Sequence, residues 1–199
     1  FWYYYYYYYY YLYNEPVIIA IVPNALTNDE CDELIEYAKS SSMQQSTVIN
    51  KNGGQYDLEM DQRNSKTIWY RDDEHDVAKK MSELASKYTN LPVTYQEKTQ
   101  VVCYDIDGKF DAHYDAQYNS GAATRNYTCL VYLNDNYEGG ETVFPYLDKT
   151  IKPEKGKMIV FRNLNVRGEI LPKSQHKANP VKENNKWICT KWVHSKPYI

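Results

Sequence analysis

His113 and Asp115 stand two positions apart in the run Lys109-Phe-Asp-Ala-His-Tyr-Asp-Ala116. A second histidine, His176, follows far downstream in Ser174-Gln-His-Lys-Ala-Asn-Pro-Val181, with Lys186 shortly after it. On a strand, residues i and i+2 share a side, so the His-x-Asp pair is expected to present both donors to one face. An imidazole from a distant strand would complete a face of two nitrogens and one carboxylate oxygen. Bound to a single metal, that face leaves adjacent coordination positions open, as non-haem Fe(II) oxygen chemistry requires. A lone His-x-Asp is more often surface polarity or a hydrogen-bonded core histidine. Here the chain has only 4 His, namely His75, His113, His176 and His194, and two of them fall in order where such a face needs them. Lys186 adds a cation on a strand position read as inward-facing. A buried ammonium is costly without an anion, so it calls for a carboxylate-bearing ligand such as a dicarboxylate. The plainer alternative is a solvated strand-end lysine beside Asn184 and Asn185.

The elements that must hold these residues are legible in the pattern. After residue 93 short apolar runs at 99–103, 112–116, 127–133, 141–144, 157–161 and 187–193 are separated by turn chemistry at Asp107-Gly108, Gly139-Gly140, Pro153 with Gly156, and Asn163. Strands at this spacing predict a sandwich or jelly roll. Leu130, Tyr132, Val143, Ile159 and Phe161 are expected in its core. Upstream, the β-branched run 17–22 reads as a strand stopped by Pro23-Asn24. Thr27 and Glu30 form a capping box, so a helix runs from there to about Lys39 with Leu34, Ile35 and Ala38 inward. A short strand at 44–49, a polar loop at 50–64, a strand at 66–71 and a second helix at 74–88 follow. That helix carries Val77, Met81, Leu84 and Ala85 on one side. The 50–64 loop and Tyr118-Asn119-Ser120-Gly121 are polar and rich in Asn or Gly, and are expected to be mobile.

Composition narrows the classes. A chain of 199 residues is long enough for one sizeable core, and the length prior is a single domain. A net charge of -3 provides no general attraction toward nucleic acid, so none is expected as a partner. Cys31, Cys103, Cys129 and Cys189 show no Cys-x-x-Cys pairing, and the last three lie in apolar runs that suit buried free thiols. Residues 1–16 form a Tyr-rich low-complexity tail, with Tyr3 through Tyr11 unbroken, set outside a single domain at 17–199. The tract is too short and too hydroxyl-rich for a membrane span of about 20 apolar residues. It reads as a low-complexity stretch, a misassigned stretch of sequence, or the stub of a missing N-terminal membrane anchor.

From residue 99 to residue 198 the chain resembles the catalytic domain of the collagen-type prolyl 4-hydroxylases, among the Fe(II)- and 2-oxoglutarate-dependent dioxygenases. The matching stretches are Gln100-Val-Val-Cys-Tyr104, Gly108-Lys-Phe-Asp-Ala-His-Tyr-Asp115, Tyr132-Leu-Asn-Asp135, Gly139-Gly-Glu-Thr-Val-Phe-Pro145, Lys152-Pro-Glu-Lys-Gly156, and His176 through Lys186-Trp187. They occur in the family's order and spacing, and the size resembles its small single-domain forms in algae and large DNA viruses. The resemblance implies a mainly β, α+β fold: a double-stranded β-helix, or jelly roll, with the N-terminal helices packed on one sheet. It implies Fe(II) on His113, Asp115 and His176, and 2-oxoglutarate whose far carboxylate meets Lys186. Tyr104 and Thr142, and more weakly Tyr132, would assist Lys186; Arg125, Trp192 and His194 would line the peptide site. O2 and ascorbate complete the implied cofactors. The substrate implied is proline in proline-rich or collagen-like peptide, converted to 4-hydroxyproline with release of succinate and CO2. An endoplasmic reticulum or virus-associated setting is what the family suggests.

There are departures. Phe110 stands where many members have Tyr, and Ala178, flanked by Lys177 and Asn179, where Gly is frequent. Neither change is expected to touch the metal or the Lys186 contact, so they bear on substrate preference and not on reaction type. A hydroxylase acting on another side chain such as lysine shares the metal face but would be expected to carry Arg in place of Lys186, as would a nucleic-acid demethylase of this fold. A catalytically inactive cupin-like module is the reading from a different class. Retention of all four residues argues against it.

Overall fold

The computed structural model describes residues 19–49, 56–57, 61–116 and 124–198. The Tyr-rich tail, the first two residues of the expected 17–22 strand, most of the 50–60 stretch and Tyr118-Asn119-Ser120-Gly121 lie outside them. Fifteen strands occur among the described residues. They are β1 (Ile19–Val22), β2 (Gln44–Gln45), β3 (Val48–Ile49), β4 (Tyr56–Asp57), β5 (Lys66–Tyr70), β6 (Thr99–Tyr104), β7 (Phe110–His113) and β8 (Arg125–Tyr132). The rest are β9 (Glu138–Gly139), β10 (Thr142–Phe144), β11 (Lys149–Ile151), β12 (Met158–Arg162), β13 (His176–Ala178), β14 (Val181–Glu183) and β15 (Lys186–His194). Two helices, α1 (Asn28–Lys39) and α2 (Asp76–Thr89), complete the frame.

Most of the strands form a seven-stranded sheet, ordered β1-β12-β8-β15-β6-β5-β2, and a four-stranded sheet, ordered β11-β10-β13-β7, while β14 pairs with β9 and β3 with β4. Their antiparallel pairing gives the double-stranded β-helix expected from the sequence. Alternation along the central strands sorts side chains into two layers. On β15, Trp187, Cys189 and Val193 face the helices, and Ile188 faces the small sheet. The outer layer packs Leu34, Ile35 and Ala38 of α1 and Val77, Ala78, Met81 and Ala85 of α2 on the large sheet. The inner layer joins Val102, Leu130, Tyr132, Ile159, Phe161 and Ile188 to Phe144 from the small sheet.

α1 begins as expected: Thr27 Oγ1 accepts from the Glu30 N–H, and Glu30 Oε2 accepts from the Thr27 N–H at 2.7 Å. Satisfying two otherwise orphaned donors sets the helix start. Four local expectations change. The expected 44–49 strand divides into β2 and β3. The expected 112–116 strand begins earlier and ends at His113, because β13 begins with His176 directly opposite and offers no ladder partner beyond it. Val143 is only half-buried, whereas Thr142 and Phe144 turn inward, a one-residue shift that reverses the face on a strand. Leu84 is only partly buried, at the edge of the α2 contact. All four cysteines are buried and free. No helix among the described residues is long and apolar enough to cross a membrane.

Candidate active site

His113 closes β7 and His176 opens β13, and the two are register partners across the small sheet. Opposite residues of an antiparallel pair project to the same side. The imidazoles therefore meet, with ring centroids 4.3 Å apart. Asp115 reaches the same place from the turn after β7, so strand alternation is not what aligns it. Its Oδ1 lies 3.5 Å from His113 Nε2 and its Oδ2 3.7 Å from His176 Nε2. One ligand atom from each of the three falls within 4.8 Å of the others, the only such cluster of His, Cys, Asp or Glu found among the described residues.

Backbone carbonyls orient both imidazoles. His113 Nδ1 is 2.7 Å from the Asp111 carbonyl oxygen, and His176 Nδ1 is 2.9 Å from that of Ser174. A carbonyl can only accept, so each Nδ1 carries the proton and each Nε2 lone pair is left for a cation. Burial, with His113 beside it, lowers the His176 pKa to about 4, which keeps the ring neutral near pH 7. Burial opposes ionisation of Asp115, but the facing His176 and His113 outweigh it and hold the carboxyl well below the usual range. The rings are fixed from behind: Phe110 stacks on His113 at 3.5 Å, and His176 packs against Phe144 and Phe161. Two imidazole nitrogens and one carboxylate oxygen, all buried or nearly so, fit a divalent iron.

The cavity beside this cluster is lined by Tyr104, Thr142 and Lys186 from the sequence-derived set, and also by Arg63 and Thr190. Lys186 is 1% exposed. Its Nζ donates to the Gly140 carbonyl at 2.6 Å and lies 5.0 Å from the centre of the Tyr104 ring. Burial lowers its pKa to about 7, with Glu141 partly countering the effect. Tyr132 stands one layer back, its hydroxyl donating to Thr142 Oγ1 at 2.8 Å.

A groove adjoins the cavity, lined in part by Trp69, Phe110, Arg125 and Trp192. The Arg125 guanidinium sits 3.7 Å from the Trp192 ring centre and forks onto Glu97, at 2.5 Å from Nε and 2.9 Å from Nη2. His194 is buried behind this pair. Its Nε2 meets Glu97 Oε1 at 2.7 Å, and its ring stacks on Tyr198. The protein thus places Arg125 and Trp192 on the groove and His194 on the carboxylate that anchors Arg125.

Sequence reading passed over two residues. Glu97 lies just before β6 with no periodic signal to mark it. Arg63 sits in what reads as a polar loop, yet it is 8% exposed, lines both cavity and groove, and stands 4.7 Å over the Phe110 ring. No carboxylate of the described residues pairs with it. A separate concavity of about 1030 Å³ between α1 and α2 is rimmed by carboxylates and contains none of the metal donors.

Comparison with known proteins agrees with this geometry. Residues 99–194 match the 2OG-Fe(II) oxygenase superfamily. Prolyl 4-hydroxylase 5 of Arabidopsis thaliana is 33% identical over 194 residues, covering 86% of this chain and 66% of that protein. Prolyl 4-hydroxylase 13 of the same plant is 30% identical, covering 89% and 71%. The crystal structure of a viral collagen prolyl hydroxylase from Paramecium Bursaria Chlorella virus-1, in complex with 2OG, superposes with a TM-score of 0.74 at 28% identity, covering 89% and 96%. The chain spans about two thirds of the length of these plant relatives.

Proposed function

The chain belongs to the prolyl 4-hydroxylase family of 2OG-Fe(II) oxygenases, and from that membership we propose that it 4-hydroxylates proline in proline-rich or collagen-like peptide. When bound, Fe(II) with 2-oxoglutarate supplies the oxidising chemistry, in which O2 is consumed, succinate and CO2 are released, and ascorbate restores iron oxidised without product. His113 Nε2, His176 Nε2 and one oxygen of Asp115 hold the metal. The observation that carries the reading is Lys186, a buried amine with no ion-pair carboxylate among the described residues, in the same cavity as the three donors.

Lys186 meets the far carboxylate of 2-oxoglutarate, with the Tyr104 and Thr142 hydroxyls beside it. Tyr132 acts through Thr142, donating to its oxygen and so directing the Thr142 proton into the cavity. The neighbouring apolar residues Val102, Leu130 and Ile188 keep water from the co-substrate, which strengthens its pairing with the ammonium. Peptide lies in the adjoining groove. There Trp192 packs between Arg125 and the more exposed Trp69 in the groove wall, and Glu97 with His194 holds Arg125 in place. Mass spectrometry of proline-rich peptides incubated with the protein, Fe(II), 2-oxoglutarate and O2 tests the proposal. Hydroxylated proline with equal succinate is the expected outcome. Succinate release with oxygen incorporated at lysine, or no turnover of any proline-rich peptide, would redirect it.

A further inference from the structure

Both oxygens of Asp115 lie close to an imidazole Nε2, at 3.5 Å for Oδ1 with His113 and 3.7 Å for Oδ2 with His176, so proximity alone does not select the metal ligand. We propose that Thr128, itself oriented by Asn163, makes that selection: it engages Oδ2 and leaves Oδ1 as the single oxygen presented to the metal. This rests on the metal reading given above.

Strand alternation brings the residues together. On β8, Thr128, Leu130 and Tyr132 share the inner face, and on β12 Ile159 and Phe161 do so. Thr128 is the register partner of Phe161. Asn163 continues the alternation one step past β12, where its N–H donates to the Asn126 carbonyl at 2.7 Å. Thr128 Oγ1 then lies 2.6 Å from Asp115 Oδ2, and Asn163 Nδ2 lies 2.9 Å from Thr128 Oγ1. Exposure is 1% at Thr128, 0% at Asn163 and 6% at Asp115, so water does not compete.

The donor directions have one solution. An ionised carboxylate only accepts, so the Thr128 proton goes to Asp115 and its oxygen lone pair faces Asn163. Only the Asn163 amide nitrogen can answer that lone pair. Rotating the amide would set two acceptors against each other, which settles its orientation even though Asn163 Oδ1 has no partner of its own. The Asn163-to-Thr128-to-Asp115 chain therefore runs in one direction and ends on Oδ2. A lone pair held in a short charge-assisted hydrogen bond is a poorer and misdirected metal donor. If both oxygens bound, one of the positions needed by co-substrate and O2 would close. Thr128 is thus a positioning residue that keeps the carboxylate monodentate.

The test measures Co(II) binding by calorimetry, together with the visible d–d absorption of the Co(II) protein, for wild type, Thr128→Val, Thr128→Ser and Asn163→Ala. Valine keeps the shape and removes the hydroxyl. It is expected to weaken Co(II) by roughly 10- to 100-fold, the usual effect of losing such an outer partner, and to change the d–d spectrum. Serine restores the hydroxyl and should match wild type in both measurements. Asn163→Ala should fall between. Wild-type affinity and spectrum in Thr128→Val, or a serine variant as weak as valine, overturns the inference while leaving the metal site standing. Absence of Co(II) binding in the wild type overturns the metal reading and the inference with it. Should Thr128→Val not fold by far-UV circular dichroism, Asn163→Ala decides: an unchanged affinity and spectrum there is equally contrary.

Discussion

The Lys186 ammonium is held 2.6 Å from the Gly140 carbonyl oxygen, with no carboxylate of the described residues in ion-pair contact. One carbonyl dipole is a modest partner for a buried cation, so the cavity favours an incoming anion. Lys186→Ala strands that anion in a dry pocket, at a cost of about 3–5 kcal/mol by analogy with broken buried pairs. The expected result is a KM for 2-oxoglutarate raised by orders of magnitude with metal affinity nearly unchanged. Lys186→Arg should recover only part of the loss, because a planar fork does not fit where a compact ammonium sits. Calorimetric titration of 2-oxoglutarate into the Mn(II) protein reads both.

The same group carries a pH dependence. Burial lowers the Lys186 pKa from 10.5 to about 7. Between those values the unfolded chain binds the proton and the folded one does not, so this group makes stability rise with pH across the window. For the dicarboxylate the sign reverses, because it binds the charged form. Affinity for 2-oxoglutarate is therefore expected to fall as pH rises through about 7. In Lys186→Arg, charged throughout, that dependence should vanish. Titrations at several pH values on both proteins check it, and identical slopes would contradict the coupling.

Gly140 has φ +63, and a Cβ there would lie 3.0 Å from Lys186 Cδ and 3.1 Å from Tyr137 Cε2. Left-handed backbone with a side chain costs on the order of 1–3 kcal/mol, and the crowding falls on the lysine stem. Gly140→Ala should lower the melting temperature and weaken 2-oxoglutarate binding together. A destabilised variant with wild-type co-substrate affinity would show that the carbonyl does not position Lys186.

His113→Ala and His176→Ala each remove one of three donors. Both are expected to abolish metal binding, succinate release and peptide hydroxylation while the far-UV circular dichroism stays native. Persistent succinate release from either variant would remove the metal assignment.

Arg63 stands at the junction of cavity and groove, over Phe110 and with Nε donating to Ser65 Oγ at 3.1 Å. A buried guanidinium with no ion-pair carboxylate among the described residues suits a peptide carbonyl crossing from groove to metal. Arg63→Gln is expected to raise the KM for peptide about tenfold or more, by loss of a charged hydrogen bond worth about 1.5–3 kcal/mol. The KM for 2-oxoglutarate should stay near wild type. Steady-state kinetics with each substrate varied in turn separates the two effects.

Much of this site is written in local sequence. The Thr27–Glu30 capping box and the alternation of β6, β8, β12 and β15 are short-range features, and short-range geometry realises them wherever the chain folds. Lys186 could be read as inward-facing because a strand's period assigns every second residue to one side. What tertiary structure decided is which faces meet and where pairing stops. β13 and β14 are too short to carry a periodic signal, yet β13 places His176 opposite His113 and ends the ladder before Asp115. The buried partners Arg63 and Glu97 lie in segments with no amphipathic pattern. Their burial depends on residues distant in sequence, and a polar side chain becomes part of a site only when a fold removes its water and supplies another partner.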